Sequence, residues 1–428
     1  MNAPHRQVYS ALVQGRPPQS LGDRTIAPRW RRLAALVFFA FTCPASLDAV
    51  AVTSQVRMFD LSMAERQQIQ SLGPWPPAPR RDPGNRVSGR PMAIELGRQL
   101  FHEARMSPVG YIACVTCHQP DRAFTDLKPR AHGLADLPRN TPALANLSQQ
   151  RWFGWGGASD SLWMASIRPI LDAREFDGSA DSVTRLFVRV PELAACYRRV
   201  FGVSALMQPQ RTLVNVGKAL AAFVETLVTT RTPFDDFRDA LVRGDATAAA
   251  TYPAAALRGL KFFVGRGGCV DCHNGPNFSD GRFHAGAAPA DDIAKAVAES
   301  LADMGRLDDA RTLKDSPFNL LGPTNDDGTR RNAAATRALV VRPGLRGLYR
   351  TPTLRNVTVT APYFHNGQVE RLTDALQHPT RLASTPSTLP AQPLEAGEVN
   401  DLAAFLVTLT DAHGARRPWS SVGNTRCL

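Results

Sequence analysis

The chain has 428 residues, of which 43% are hydrophobic and 21% charged, and its formal net charge is +12. This length and composition predict two or three globular domains that bury a sizeable core without needing disulfide bonds. The positive charge could suit nucleic acid, but residues 1–51 hold six arginines and only two acidic residues, and no dense basic run follows them. We therefore expect no nucleic-acid binding, and a mildly basic surface that favours an acidic protein partner.

Residues 1–51 have the pattern of a secretory signal peptide with an N-terminal extension. A basic cluster, Arg29–Arg32, is followed by the apolar stretch Leu33–Phe41 and by an A-x-A site at Ala49–Ala51. The apolar stretch is too short to cross a bilayer, so no stable membrane anchor is expected. A buried N-terminal helix and a lipoprotein anchored at Cys43 are the alternatives. The pattern predicts export to the periplasm.

Two copies of the sequence C-x-x-C-H predict covalent haem. They are Cys114-Val115-Thr116-Cys117-His118 and Cys269-Val270-Asp271-Cys272-His273. In this motif each thiol bonds one haem vinyl group, and the adjacent histidine ligates the iron. Zinc binding and a redox dithiol are alternative uses of a C-x-x-C pair. Two distant pairs, each followed by histidine in an exported chain, favour two covalently bound haem c groups. The states of Cys196 and Cys427 stay open.

The stretches before the two motifs are similar. Gly97–Phe101 precedes the first motif and Gly259–Phe263 precedes the second, each with apolar residues at helical spacing. Amphipathic patterns predict further helices over 216–227 and 399–409, and strand patterns are scarce. The expected fold is mostly α, with two tandem cytochrome c-like haem domains and a loop-rich insertion, 284–345, in the second. The predicted boundaries are as follows: 1–51 signal and extension, 52–84 extended segment, 85–240 N-terminal domain, 241–412 C-terminal domain with 232–254 as the connection, and 413–428 tail.

Further segments accompany the haem motifs. They are Arg139-Asn140-Thr141-Pro142, the Trp155…Pro169…Glu175 stretch, Thr351-Pro352-Thr353-Leu354-Arg355-Asn356, and Ala361-Pro362-Tyr363-Phe364-His365-Asn366-Gly367. With these motifs the chain resembles the bacterial di-haem cytochrome c peroxidase family, from about Ser71 to Thr410. The insertion, with Asp303–Arg306 and Pro317–Pro323, looks more like the MauG-like branch of that family than like the short peroxidases.

The resemblance implies separate tasks for the two haems. The N-terminal haem, on His118, would bind peroxide, and the C-terminal haem, on His273, would handle electrons. Glu175 matches a distal-pocket carboxylate that moves a proton between the peroxide oxygens. Read from the sequence alone, it could equally be a surface glutamate paired to Arg174. Pro169 matches a proline that shapes the pocket.

Trp155 matches the tryptophan that carries electrons between the haems, and its alternative role is that of a core aromatic beside Trp152 and Phe153. Three positions, Asn140, Thr360 and Pro362, match the ligands of a calcium ion held between the domains. Calcium prefers such hard oxygen ligands. Read alone, Asn140 would be a turn residue.

The chain departs from the family pattern at two places. Ala165 stands where the family usually has a glutamine ten residues before the distal glutamate, which implies a wider or wetter pocket. Pro379 stands where a Met or Tyr would ligate the second iron, so the neighbouring His378 is the candidate distal ligand, with a solvent-facing loop histidine as the alternative. His132 stands near the position at which many resting peroxidases have a histidine that caps the first iron. If His132 is such a cap, the enzyme needs activation by reduction.

Three functions compete. The first is an exported peroxidase that reduces hydrogen peroxide with electrons from a small cytochrome c or a cupredoxin. The second is a MauG-like maturase that oxidises Trp or Tyr side chains of a partner protein. The third is a non-enzymatic di-haem electron-transfer protein. A homodimer is left open.

Overall fold

A computed structural model describes residues 61–285, 303–377 and 394–411. The signal peptide predicted in residues 1–51 and the tail 413–428 lie outside these residues. Most described elements are helical, which confirms the predicted fold class, and no described helix has the length and apolar character needed to cross a bilayer. All the described residues fall within one compact unit. The two strands, β1 (Phe283–Ala285) and β2 (Leu348–Arg350), pair antiparallel with Phe283 opposite Arg350.

The α-helices follow one another in chain order, and several begin at a proline, whose missing N–H costs nothing in the first turn. They are α1 (Met63–Ser71), α2 (Pro91–Phe101), α3 (Cys114–Cys117), α4 (Leu162–Leu171), α5 (Ala180–Arg189), α6 (Pro191–Phe201), α7 (Pro209–Val224), α8 (Pro233–Arg243), α9 (Ala246–Ala250), α10 (Ala254–Val264), α11 (Arg306–Asp315), α12 (Ala334–Ala338), α13 (Leu372–Gln377) and α14 (Ala396–Val407). Short 3-10 turns occur at Ala104–Met106, Pro120–Arg122, Leu147–Gln149, Ser204–Met207, Cys269–Asp271, Pro343–Leu345 and Val357–Val359.

Two apolar cores organise these helices. In the first, α7 is central and packs against α2, α4 and α5. In the second, α10 packs against α14, and α1 and α9 pack against α8. The helices predicted over 216–227 and 399–409 correspond to α7 and α14. Each core includes residues on both sides of one of the two haem motifs. We retain the division into two haem domains as a proposal.

The region around α8 differs from what the sequence predicted. Residues 232–254, expected to be a connection, form α8 and α9, and Phe234 and Phe237 belong to the second core. The boundary predicted between residues 240 and 241 falls within α8. Part of segment 52–84, expected to be extended, forms α1, because Ser62 and Glu65 cap its first turn reciprocally and Ile69 is buried.

The insertion belongs to the second half of the sequence but packs against the first core. Leu313, Leu320 and Ala333 are buried in that core. The buried ammonium of Lys218, in α7, binds the Asp326 carboxylate at 2.6 Å. These contacts place the described part of the insertion, residues 303–345, against the first core.

One glycine in each half sets how closely two helices approach. A Cβ on Gly97 would overlap the backbone carbonyl of Ala219, where α2 meets α7. A Cβ on Gly259 would overlap the carbonyl of Asp401, where α10 meets α14. The similarity between Gly97–Phe101 and Gly259–Phe263 therefore reflects the same close helix crossing in both halves.

Gly259→Ala should destabilise the protein by about 1–3 kcal/mol or more, because the added methyl group forces α10 and α14 apart. The matched control is Gly397→Ala in α14, where an added Cβ meets nothing within 4 Å. That change should leave stability unchanged or raise it by up to about 1 kcal/mol through helix propensity. Thermal unfolding of the two variants checks this, and equal Tm values would contradict the packing argument.

Candidate active site

The two histidines of the C-x-x-C-H motifs are fixed in the same way. Nδ1–H of His118 donates to the carbonyl of Phe124 at 3.0 Å, and Nδ1–H of His273 donates to the carbonyl of Phe278 at 3.0 Å. The backbone N–H of each histidine also donates to the backbone carbonyl of the first cysteine of its motif at 2.9 Å. A neutral imidazole that donates through Nδ1 presents the lone pair of Nε2, which is the form that ligates a metal.

The phenylalanines that accept these bonds were missed by the sequence analysis. Phe124 and Phe278 are buried and have positive φ angles of 60° and 50°, a conformation rare for a bulky side chain. A signal for them exists, because Phe124-Thr125-Asp126 and Phe278-Ser279-Asp280 follow the two motifs at nearly equal spacing. Burial lowers the pKa of His118 and of His273 and keeps both rings neutral.

A cavity of about 490 Å³ adjoins the first motif. Cys114, Cys117 and His118 line it together with apolar side chains from α2, α4 and α7. Burial raises the pKa of Cys114 to about 12 and that of Cys117 to about 11, which disfavours the thiolate that a redox dithiol or a zinc site requires. An apolar slot with two thiols and a metal-ready imidazole fits a covalently held haem.

The predicted catalytic residues line the same cavity. Trp155, Pro169 and Glu175 are brought together there, along with Ala165. Pro169 lies one turn after Ala165 in α4 and has no N–H, so the Ala165 carbonyl lacks its helical partner. Ala165, which stands where the family usually has glutamine, thus lines this pocket.

Glu175 is not paired to Arg174. The Arg174 guanidinium binds Asp172 instead, with Nη2 2.8 Å from Oδ2 and Nε 3.1 Å from Oδ1. Burial and the nearby Asp172 carboxylate raise the pKa of Glu175 to about 7. A carboxyl group with this pKa in a cavity wall can both accept and return a proton near neutral pH.

Trp155 is held by residues from both halves of the chain. Its indole N–H donates to the Asn140 carbonyl at 2.9 Å, and its own carbonyl accepts the Arg350 backbone N–H at 2.8 Å. The Asn140 N–H in turn donates to the His365 carbonyl at 2.7 Å. The ring of His365 stacks on Tyr349 with centroids 3.7 Å apart. Trp155 is thus more constrained than a simple core aromatic.

The insertion contributes to the cavity, which the sequence did not indicate. Asp303, Asp308, Asp309 and Thr312 are lining residues. Arg139 joins this wall to the first half, with Nη2 2.6 Å from Asp303 Oδ1 and Nη1 2.8 Å from Asp309 Oδ2.

One of the predicted calcium ligands, Asn140, contacts the segment that carries the other two. The backbone bond from Asn140 to His365 brings Asn140 to the segment that contains Thr360 and Pro362. The side-chain Nδ2–H of Asn140 donates to the Lys128 carbonyl at 2.7 Å. No described residue donates a hydrogen bond to the side-chain Oδ1 of Asn140. That oxygen remains available as a cation ligand.

Of the two histidines predicted as additional iron ligands, the structure describes only His132. His132 contacts Asp136, with Nδ1 2.6 Å from Oδ1, and does not line the cavity. Its predicted role as a cap stays a prediction. His378 and Pro379 lie outside the described residues. At the second motif, Cys272 lies near Asp280 and His284 in a group with metal-ligand spacing. Because Cys272 is predicted to attach haem, this group belongs to the predicted second haem site rather than to a separate metal site.

Known proteins match this arrangement. The family model described as "Di-haem cytochrome c peroxidase" matches residues 91–245. The "Methylamine utilization protein MauG" of Methylorubrum extorquens is 31% identical over 374 residues, which cover 86% of this chain and 89% of the relative. The chain belongs to the di-haem cytochrome c peroxidase and MauG family. The predicted family is therefore confirmed, and haem is the cofactor of this chain.

A peroxidase relative and a solved structure agree with this assignment. "Cytochrome-c peroxidase IdrP2" of a Pseudomonas species is 28% identical and matches 85% of this chain and 91% of the relative. The fold resembles that of the di-haem peroxidase BthA of Burkholderia thailandensis, with a TM-score of 0.61, 24% identity and coverage of 79% and 88% of the two chains. Members of the family are di-haem peroxidases or MauG oxidoreductases, so the chain is an enzyme, and the non-enzymatic alternative is not retained.

Each cysteine pair should carry one haem. The double variant Cys114→Ala/Cys117→Ala, and separately Cys269→Ala/Cys272→Ala, should each lose one of two covalent haems, because thioether bonds can form only at the remaining motif. Haem quantified per chain under denaturing conditions checks this. Two retained haems in either variant would contradict the assignment.

Proposed function

We propose that the protein is a periplasmic peroxidase that reduces hydrogen peroxide at the N-terminal haem site, with electrons delivered through the C-terminal haem site. The observation that carries this proposal is the side chain of Glu175, which lines the cavity of His118 and has a pKa raised to about 7. Haem, when bound by Cys114, Cys117 and His118, supplies the redox centre for the reaction. The overall change is the reduction of one peroxide to two waters by two electrons and two protons.

The chain's own residues divide the remaining work. Glu175, as a carboxylate, accepts a proton from the inner oxygen of peroxide and returns it to the outer oxygen, so that water leaves as the O–O bond breaks. Trp155 is the aromatic relay between the two haem sites, and its hydrogen bonds to both halves of the chain hold it in place. Pro169 and Ala165 shape the space above the reacting atoms.

Several features support the location and partners. The signal-peptide pattern favours export, and Cys196, in α6, is disulfide-bonded, which is typical of an oxidising compartment. The formal charge stays positive, at +8, without the six arginines and two aspartates of residues 1–51, which favours an acidic electron donor, such as a small cytochrome c or a cupredoxin. We also propose a calcium ion held by Asn140 Oδ1 and the carbonyls of Thr360 and Pro362, supported by the available Asn140 oxygen.

A second candidate is a MauG-like maturase that oxidises a Trp or Tyr of a partner protein. The observation that favours it is the insertion, which supplies Asp303, Asp308, Asp309 and Thr312 to the cavity wall. In this case peroxide would yield a long-lived oxidised protein and little turnover of a cytochrome donor.

Peroxide consumption by the holo-protein with a reduced small cytochrome c distinguishes these candidates. A peroxidase should show sustained turnover with two donors oxidised per peroxide. The wild-type protein is assayed both as isolated and after pre-reduction, and the His132→Ala variant is assayed as isolated. If His132 caps the first iron, wild type should need pre-reduction and the variant should not. A stable oxidised species without donor turnover would overturn the peroxidase in favour of the maturase.

Glu175 should control the pH dependence of the reaction with peroxide. Because its pKa is raised to about 7, the proton-accepting carboxylate predominates only above that pH, and the second-order rate constant should rise through pH 7 and then level off. Glu175→Gln should lower the plateau by roughly 10²–10⁴-fold and remove the pH step. Stopped-flow measurements check this, with Glu192→Gln as an exposed control. An unchanged pH step in Glu175→Gln would contradict the role.

A further inference from the structure

Arg306 is a buried cation in the insertion. It begins α11, is 2% exposed, and its Nη1 donates to the carbonyl of Gly156 at 2.9 Å and to that of Gly157 at 2.7 Å. A Cβ on Gly157 would lie 2.5 Å from this nitrogen, so a side chain there would displace the guanidinium. The loop that carries Trp155 is therefore built to receive Arg306.

The charge of Arg306 is held without a close carboxylate. Among the residues that the structure describes, no acidic oxygen forms a salt bridge with it, and the neighbouring Asp309 binds Arg139 instead. The guanidinium lies between two aromatic faces, 4.6 Å from the ring centroid of Trp152 and 4.1 Å from that of Phe283. Although burial lowers the pKa of Arg306 to about 10, the group stays protonated at neutral pH.

Trp152 and Trp155 lie three residues apart but have opposite electrostatic surroundings. A cation on the face of Trp152 opposes the removal of an electron from that indole. The Trp155 indole N–H points at the Asn140 carbonyl, whose negative end stabilises positive charge on the ring. In the described part of the chain, no Arg or Lys lies over the face of Trp155.

We propose that Arg306 is a specificity-determining residue, which prevents oxidation of Trp152 and so reserves Trp155 as the side chain that exchanges electrons with the first haem site. The inference rests on the proposed function, since it needs peroxide as the oxidant. It extends that function, because it explains why one of two adjacent tryptophans is used and the other is spared.

The unwanted reaction can be written in full. Removal of two electrons and one proton from the Trp152 indole allows water to add to the ring, and the added water then loses a second proton. The two electrons and two protons reduce one hydrogen peroxide to two waters at the first haem site, and one of these waters replaces the water that was added. In the net change, one C–H bond of Trp152 becomes C–OH, one peroxide is consumed, and the peptide gains the mass of one oxygen atom.

The test treats the holo-protein with hydrogen peroxide in the absence of an electron donor and maps oxidised tryptophan by peptide mass spectrometry. Arg306→Gln keeps a hydrogen-bond donor but removes the charge, whereas Arg306→Lys keeps the charge but not the two-carbonyl geometry. Loss of the cation should raise oxidation of Trp152 by at least about five-fold in Arg306→Gln, and Arg306→Lys should stay within about two-fold of wild type.

Controls separate charge from folding. Arg306→Met is a second uncharged variant and should behave like Arg306→Gln. Arg311→Gln, in the same helix but exposed and paired only with Asp308, should match wild type. Adding Trp152→Phe to Arg306→Gln should abolish the new product. Haem content and Tm are measured for every variant.

The results separate this inference from the proposed function. If wild type does not consume peroxide, both are overturned. If wild type consumes peroxide but Arg306→Gln and Arg306→Met do not increase Trp152 oxidation, only the inference fails. If Arg306→Lys oxidises Trp152 as strongly as Arg306→Gln, the role of Arg306 is packing rather than charge, and the inference is overturned.

Discussion

A hydrogen bond from a histidine Nδ1–H to a phenylalanine carbonyl fixes both of the imidazoles that would ligate haem iron. It occurs at His118 and again at His273, and it leaves Nε2 of each ring as the metal-binding atom. Both carbonyls come from buried phenylalanines with positive φ, so a strained turn is maintained in each half by the core around it. Each turn sets the orientation of the imidazole that would ligate a haem iron, and His118 lines the cavity that would hold the first haem.

The loop around Trp155 depends on partners that are distant in sequence. The Arg350 backbone and the Arg306 guanidinium, both from the second half, bond carbonyls of this loop, while Asn140 accepts the indole N–H. A relay between two redox centres needs a fixed distance to each, and hydrogen bonds from both halves provide that rigidity. The insertion therefore contributes Arg306 to a loop of the first half although it follows the second motif in the chain.

Local patterns predicted the parts of the molecule that depend on local chemistry. The haem motifs, α7, α14 and the paired glycine segments could all be read from spacing, because thioether chemistry and helical periodicity act over a few residues. Spacing could not show that Arg174 pairs with Asp172 rather than with Glu175, since both acids are close to Arg174 in the sequence. Arg306 begins a strongly charged segment that suggests an exposed helix, and contacts with residues distant in sequence bury it, namely the Gly156 and Gly157 carbonyls and the rings of Trp152 and Phe283. The positions of Phe124 and Phe278 are also readable from the sequence, because a phenylalanine two residues before an aspartate follows both histidines.

We propose that peroxide reacts at the His118 site and that electrons reach it from the His273 site through Trp155. The most direct measurement mixes one equivalent of hydrogen peroxide with the fully reduced protein and follows both haems by rapid-scan absorbance. The account predicts that one peroxide oxidises both haems, and that Trp155→Phe slows only the phase in which the second haem is oxidised. Oxidation of a single haem, or equal rates in wild type and Trp155→Phe, would contradict it.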